Sequence, residues 1–131
     1  MIKSVIFVTG SLADGGAEKV MSILASGCAE LGADVTLVVL RPKKIVYPVS
    51  EKVKVIQFMD KGKLATAKRI KNLHQVMKES TADVVIPFLP IISLYTLIAN
   101  IDLGKKLIMS ERADPRAKFN NLPWKDKIGN F

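Results

Sequence analysis

Apolar positions come in blocks along the chain, and the period inside each block changes. Ser4–Thr9 (SVIFVT) is a short β-branched apolar run, the mark of a buried strand. Ala17–Leu31 then repeats at helical spacing, with Ala17, Val20, Met21, Leu24, Cys28 and Leu31 on one predicted face and Gly32 as the stop. Val35–Leu40 (VTLVVL) is a second buried strand. Arg41–Lys52, with two prolines, is a loop, and Val53–Phe58 is a third strand. Leu64–Glu79 is a second amphipathic helix. Thr66, Ile70, Leu73, Val76 and Met77 are expected on its inner side, with Lys68, Lys71, Asn72, Gln75 and Lys78 opposite. Asp83–Phe88 is a fourth strand, Ile91–Ile101 a third helix and Lys106–Ser110 a fifth strand. A short helix is expected near Pro123–Ile128 in a polar tail. Strands alternating with helices predict a doubly wound, Rossmann-like α/β domain with a mostly parallel sheet. Ligands of such sheets bind outside the carboxyl ends of the strands, which selects the loops that begin at Gly10, Arg41, Phe88 and Ser110.

The 131 residues are one domain's worth, and 49% apolar content excludes a disordered chain. The apolar runs are too short and too interrupted to span a bilayer. The first one has strand length and no small-residue cleavage site, so no secretory leader is expected. One cysteine, Cys28, excludes an internal disulfide; it is expected in the core, and the setting is expected to be cytoplasmic. The net charge of +8 is localised. Residues 41–78 hold eleven lysines and arginines against Glu51 and Asp60, which leaves the rest of the chain close to neutral. Lys61, Lys63, Lys68 and Lys71 form a candidate anion or membrane patch, and the alternative is a solvated face that keeps the domain soluble. Few aromatics accompany these lysines, so nucleic acid is not the expected partner.

The loop Gly10–Gly16 fails the familiar phosphate-binding patterns. Gly10 and Gly15 have the spacing of a P-loop, but Gly16 and Ala17 stand where Lys and Ser or Thr would hold the phosphates and magnesium. Leu12 replaces the second glycine of a dinucleotide fingerprint. Arg41 follows the second strand where an NAD enzyme carries an acid, and its charge suits a 2′-phosphate, so an NADP-dependent reductase is the alternative reading. Neither Tyr47 nor Tyr95 is followed by a lysine four residues on, so the usual short-chain dehydrogenase pair is missing. What remains is Gly15-Gly16-Ala17-Glu18 opening a helix, where glycines admit close backbone approach and free N–H groups favour a phosphate. Ser110-Glu111-Arg112, before Pro115, leaves the fifth strand toward the cleft, unless Glu111 and Arg112 are only a surface ion pair. His74 is the sole histidine, expected at the surface among lysines, and no metal site is expected.

The stretch GGAEKVMSILASGCAELGADVTLVVL resembles the start of family 4 glycosyltransferases of the GT-B type, and LIMSERADP resembles an S-x-R-x-x-P stretch in their bacterial envelope and capsule members. The resemblance covers essentially the whole chain. It implies a retaining transferase of two facing Rossmann-like domains, moving a hexose from a nucleotide sugar to a glycan or lipid-linked acceptor without a metal. Residues 1–131 would be the acceptor-side N-terminal domain. Gly15 and Gly16 would lie against the donor's phosphates or sugar, and Ser110, Glu111 and Arg112 would line the cleft. Many members carry a histidine after the fourth strand, where this chain reads Phe88-Leu89-Pro90. The donor domain, with its pair of glutamates, is not in this sequence. The chain alone is therefore expected to be inactive, a fragment or a docking subunit of a split enzyme, visiting the inner membrane face as a peripheral protein.

Overall fold

The computed structural model describes residues 3–13 and 15–109. The chain runs β1 (Ser4–Thr9), α1 (Gly16–Glu30), β2 (Asp34–Val39), β3 (Lys54–Gln57), α2 (Ala65–Glu79), β4 (Val84–Pro87) and α3 (Pro90–Ala99). The four strands form one parallel sheet in the order β3-β2-β1-β4. Register is set from the middle, with Phe7 opposite Leu37 on one side and Ile86 on the other. Each strand residue alternates between faces, and both faces are covered, which is why the strands read as unbroken apolar runs. Val5, Phe7, Val35 and Leu37 pack with Met21, Ala25 and Ala29 of α1. Ile6, Val8, Val38 and Leu40 pack with Leu73 and Met77 of α2 and Ile92 and Ala99 of α3. The chain moves outward from β1 to β3, then returns across β1 to place β4 on its far side. Reversing direction while keeping right-handed connections moves the helices to the other face.

The doubly wound α/β class thus stands, while four details depart from expectation. The buried side of α1 is Met21, Ser22, Ala25 and Ala29, whereas Leu24 is 40% and Leu31 91% exposed. The small residues let the helix backbone approach the sheet closely, which turns the larger Leu24 to the flank and leaves Cys28 half-buried at the edge of the core. On α2, Thr66 is exposed, and Asn72 turns inward to donate to the Asp60 carboxylate at 2.9 Å. His74 pairs with Asp102 at 3.0 Å, tying α2 to the turn after α3. In place of a fifth strand, the described residues carry a single parallel bridge, Val85 to Leu107. The expected helix near Pro123–Ile128 lies outside the described residues. No described helix is long and apolar enough to cross a membrane.

Candidate functional site

The strand order creates one place where connections leave the sheet in opposite directions, between β1 and β4. The loops after these two strands part there, at the carboxyl ends, which is the usual ligand position in open parallel sheets.

The loop after β1 is anchored at its base and open at its tip. Leu12 is fully buried, and its carbonyl accepts the N–H groups of Val46 and Tyr47, each at 2.9 Å. The Thr9 hydroxyl donates to the Ser11 carbonyl at 3.0 Å. Glu18, in the first turn of α1, reaches back to accept the Ala13 N–H at 3.1 Å. The tip glycines are exposed, and a Cβ on either would meet no atom within 4 Å. Gly15 holds φ +82° as the residue that caps α1, and no side chain caps that end. The left-handed backbone therefore belongs to Gly15, while Gly16 starts the helix itself. A helix N-terminus at this exposed tip suits an anionic or hydroxyl-rich ligand.

Arg41 enters from the neighbouring loop. Its N–H donates to the Gly10 carbonyl at 2.9 Å, extending the β1–β2 ladder one step past the strands. Its guanidinium Nε lies 3.9 Å from where a Gly10 Cβ would be, with Ile92 Cδ1 on the same spot at 3.6 Å. Gly10, Arg41 and the first turn of α3 thus meet at contact distance.

On the β4 side, Phe88 donates its N–H to Val8 at 3.1 Å, and Leu89 then adopts φ 74°. It is the only non-glycine residue with positive φ among the described residues. Positive φ with an extended ψ of 148° costs a residue with a Cβ roughly 1–3 kcal/mol. Leu89 is held there by packing against the apolar clusters on both faces of the sheet, and its carbonyl accepts the Ser93 N–H at 2.9 Å. Pro90 follows as the first residue of α3, and the Ser93 hydroxyl is buried nearby with no hydrogen-bond partner among the described residues. Strain and an unsatisfied hydroxyl at a switch point are features that accumulate at functional sites.

Of the residues singled out from sequence, Gly15, Gly16 and Arg41 stand at the carboxyl end of the sheet. Ser110, Glu111 and Arg112 lie outside the described residues. Lys61 and Lys63 follow β3, Lys68 and Lys71 lie on α2, and all four are exposed. Leu89 was missed, since Pro90 signals only that its predecessor avoids the helical region. Among the described residues no three His, Cys, Asp or Glu side chains gather as metal ligands. A concavity of about 340 Å³ at the amino ends of β1, β2 and β3 is lined by Asp34, Lys54, Ile56, Val76 and Glu79, among others. It lies at the wrong end of a parallel sheet for a ligand site and mixes charges of both signs.

No protein-family model matches the sequence, and no curated protein matches it significantly. Solved structures do. The chain is similar to the apo form of the lipopolysaccharide outer core galactosyltransferase WaaB, with a TM-score of 0.66, 23% identity, and 82% of this chain covered. The match takes in 32% of that enzyme, so the chain spans about a third of its length. It is also similar to the C-terminal domain of the PF1911 hydrogenase from Pyrococcus furiosus, with a TM-score of 0.59 and 12% identity over 82% of this chain and 90% of that one. The fold is a Rossmann-like α/β unit that a glycosyltransferase uses and a hydrogenase domain shares. Fold alone does not choose between their activities.

Proposed function

We propose that this chain is the acceptor-side domain of a retaining, metal-independent glycosyltransferase. It serves transfer of a hexose from a nucleotide sugar to a glycan or lipid-linked acceptor in cell-envelope polysaccharide synthesis, in the cytoplasm and at its membrane surface. The observation that carries the reading is the exposed Gly15-Gly16 turn opening α1, which stands at the carboxyl end of a sheet shared with a galactosyltransferase. The family resemblance of GGAEKVMSILASGCAELGADVTLVVL adds the direction: backbone amides toward the donor, cleft walls toward the acceptor. Arg41 beside Gly10 supplies a positive charge at that end of the sheet for the departing nucleoside diphosphate. The groups that stabilise most of that charge belong to a donor-binding domain or partner chain, so this unit alone is expected to transfer nothing.

The test is amide chemical-shift mapping of the 131-residue chain against envelope oligosaccharides, UDP- and GDP-hexoses, and NADPH. The expected result is weak nucleotide-sugar-dependent shifts at Gly10, Gly15, Gly16 and Arg41, with oligosaccharide-dependent shifts at other residues of the carboxyl-end loops. Tight binding of a nucleotide sugar would remove the acceptor-side assignment. Tight binding of NADPH through Arg41 would install the reductase instead.

A further inference from the structure

The lysine-rich segment after β3 has a geometry that charge counting alone does not reveal. Leu64, Lys68 and Lys71 are spaced by four and three residues, so they stack on one face of α2. That face is opposite Leu73, which is fully buried against the sheet, so the stripe points away from the protein. At its head the loop adds Lys61 and Lys63. Two large apolar side chains stand among these lysines, Met59 at 65% and Leu64 at 67% exposure. The one acidic residue of the loop, Asp60, is paired: Asn72 binds its carboxylate at 2.9 Å and Arg69 its carbonyl at 3.1 Å. The segment thus exposes four lysines and two large aliphatic side chains, while its one carboxylate is half-buried and engaged by Asn72.

We infer that Met59, Leu64 and the surrounding Lys61, Lys63, Lys68 and Lys71 dock the domain on an anionic phospholipid surface. The lysines bind headgroup phosphates while the two apolar side chains enter the acyl boundary. The inference rests on the lipid-linked acceptor of the proposed function for its purpose, and it deepens that reading by naming the docking face. Lipid explains both halves of the surface. A lysine stem lies along apolar material while its ammonium stays at the phosphates, and exposed aliphatic side chains gain from burial in an interface. A nucleic-acid backbone would use the lysines but give Met59 and Leu64 nothing, and residues 59–78 contain no Phe, Tyr or Trp on which a base could stack. The patch begins at the carboxyl end of β3, the same end of the sheet as the candidate site, so docking would hold that site close to the bilayer.

The test is flotation of the 131-residue chain with vesicles of mixed phosphatidylglycerol and phosphatidylcholine, against pure phosphatidylcholine. Binding is expected to the anionic vesicles at low salt, with none to neutral ones. Replacing Lys61, Lys63, Lys68 and Lys71 by Gln one after another should weaken binding about fivefold per lysine. The double variant Met59→Ser, Leu64→Ser keeps every charge and should still lose about tenfold, as the apolar contact to the interface is removed. Both side chains are exposed, so circular dichroism should be unchanged. If the serine variant binds like the parent, or if single-stranded DNA binds as tightly as anionic vesicles, the surface is a general polyanion binder and the inference is overturned. Lipid binding is read without sugar transfer, so its failure leaves the glycan-shift result standing, and failure of the glycan shifts leaves lipid binding standing.

Discussion

The two ends of the sheet differ in the strain they hold. At the amino end, polar side chains stitch the chain together. The Asp83 carboxylate accepts the N–H groups of Lys3 and Ser4 at 2.9 and 3.0 Å, joining β1 to the start of β4. Asn100 closes the turn after α3 with two bonds to Lys105, and the Lys105 ammonium caps the Ser80 carbonyl at 2.9 Å. At the carboxyl end polar bonds hold the loops as well, Glu18 to the Ala13 N–H and the Gln57 amide to the Arg41 and Lys43 carbonyls, and the loop after β1 also rests on the buried Leu12. What sets this end apart is strain: Leu89 is the one non-glycine residue at positive φ among the described residues, and the buried Ser93 hydroxyl has no partner among them. The contrast teaches that strain, which collects at binding sites, is kept at one end of the sheet.

The most forceful way to test this comparison is to remove an anchor. Leu12→Ala takes a fully buried side chain from beneath the Gly10–Gly16 loop and should cost about 3 kcal/mol in urea unfolding. It should also raise hydrogen exchange at Val46 and Tyr47, whose N–H groups bond to the Leu12 carbonyl. A loss below about 1 kcal/mol would mean that its polar contacts, and not the packing of Leu12, hold this loop.

A smaller effect sharpens the assignment of strain. At most buried positions, truncating leucine to glycine is worse than truncating it to alanine. At Leu89 the order should reverse, with Leu89→Gly more stable than Leu89→Ala by about 1 kcal/mol, because glycine relieves the positive φ. The usual order in thermal melts would show that Leu89 is not strained.

The smallest effect belongs to the amino end and depends on pH. The backbone N–H groups of Lys3 and then Ser4 hold the Asp83 carboxyl below its ordinary value of 3.8. A lowered folded-state value stabilises the fold above pH 3.8 and loses that contribution as pH falls through the lowered value. Asp83→Asn should therefore lower Tm modestly at neutral pH, and the gap from the parent should narrow in acid. A gap unchanged down to pH 3 would assign the loss to the amide's geometry, not to the carboxylate's charge.

Much of this was legible in the residues. The order of the first seven elements, their parallel pairing, the glycine turn at the head of α1 and the basic segment all follow from local period, turn chemistry and charge, which depend on near neighbours in the chain. Of the predicted α1 face, Ala17, Val20, Met21 and Cys28 do pack on the core, but Leu24 and Leu31 do not, because a helix's rotation about its axis is decided by how closely it can approach the sheet. There Ala25 and Ala29 outweigh the larger Leu24. The positive φ of Leu89 did not follow either, since only packing on both faces of the sheet can hold a branched residue there. Asp60 and Asn72 meet across 12 positions, and Asp83 reaches back 79 and 80 positions to Ser4 and Lys3. Such pairings follow from the tertiary path, because residue identity states what a side chain can bond to but not what the fold brings within reach. The lysine stripe illustrates the division of labour: sequence supplied its charges, while the fold paired Asp60 with Asn72 and left Met59 and Leu64 exposed.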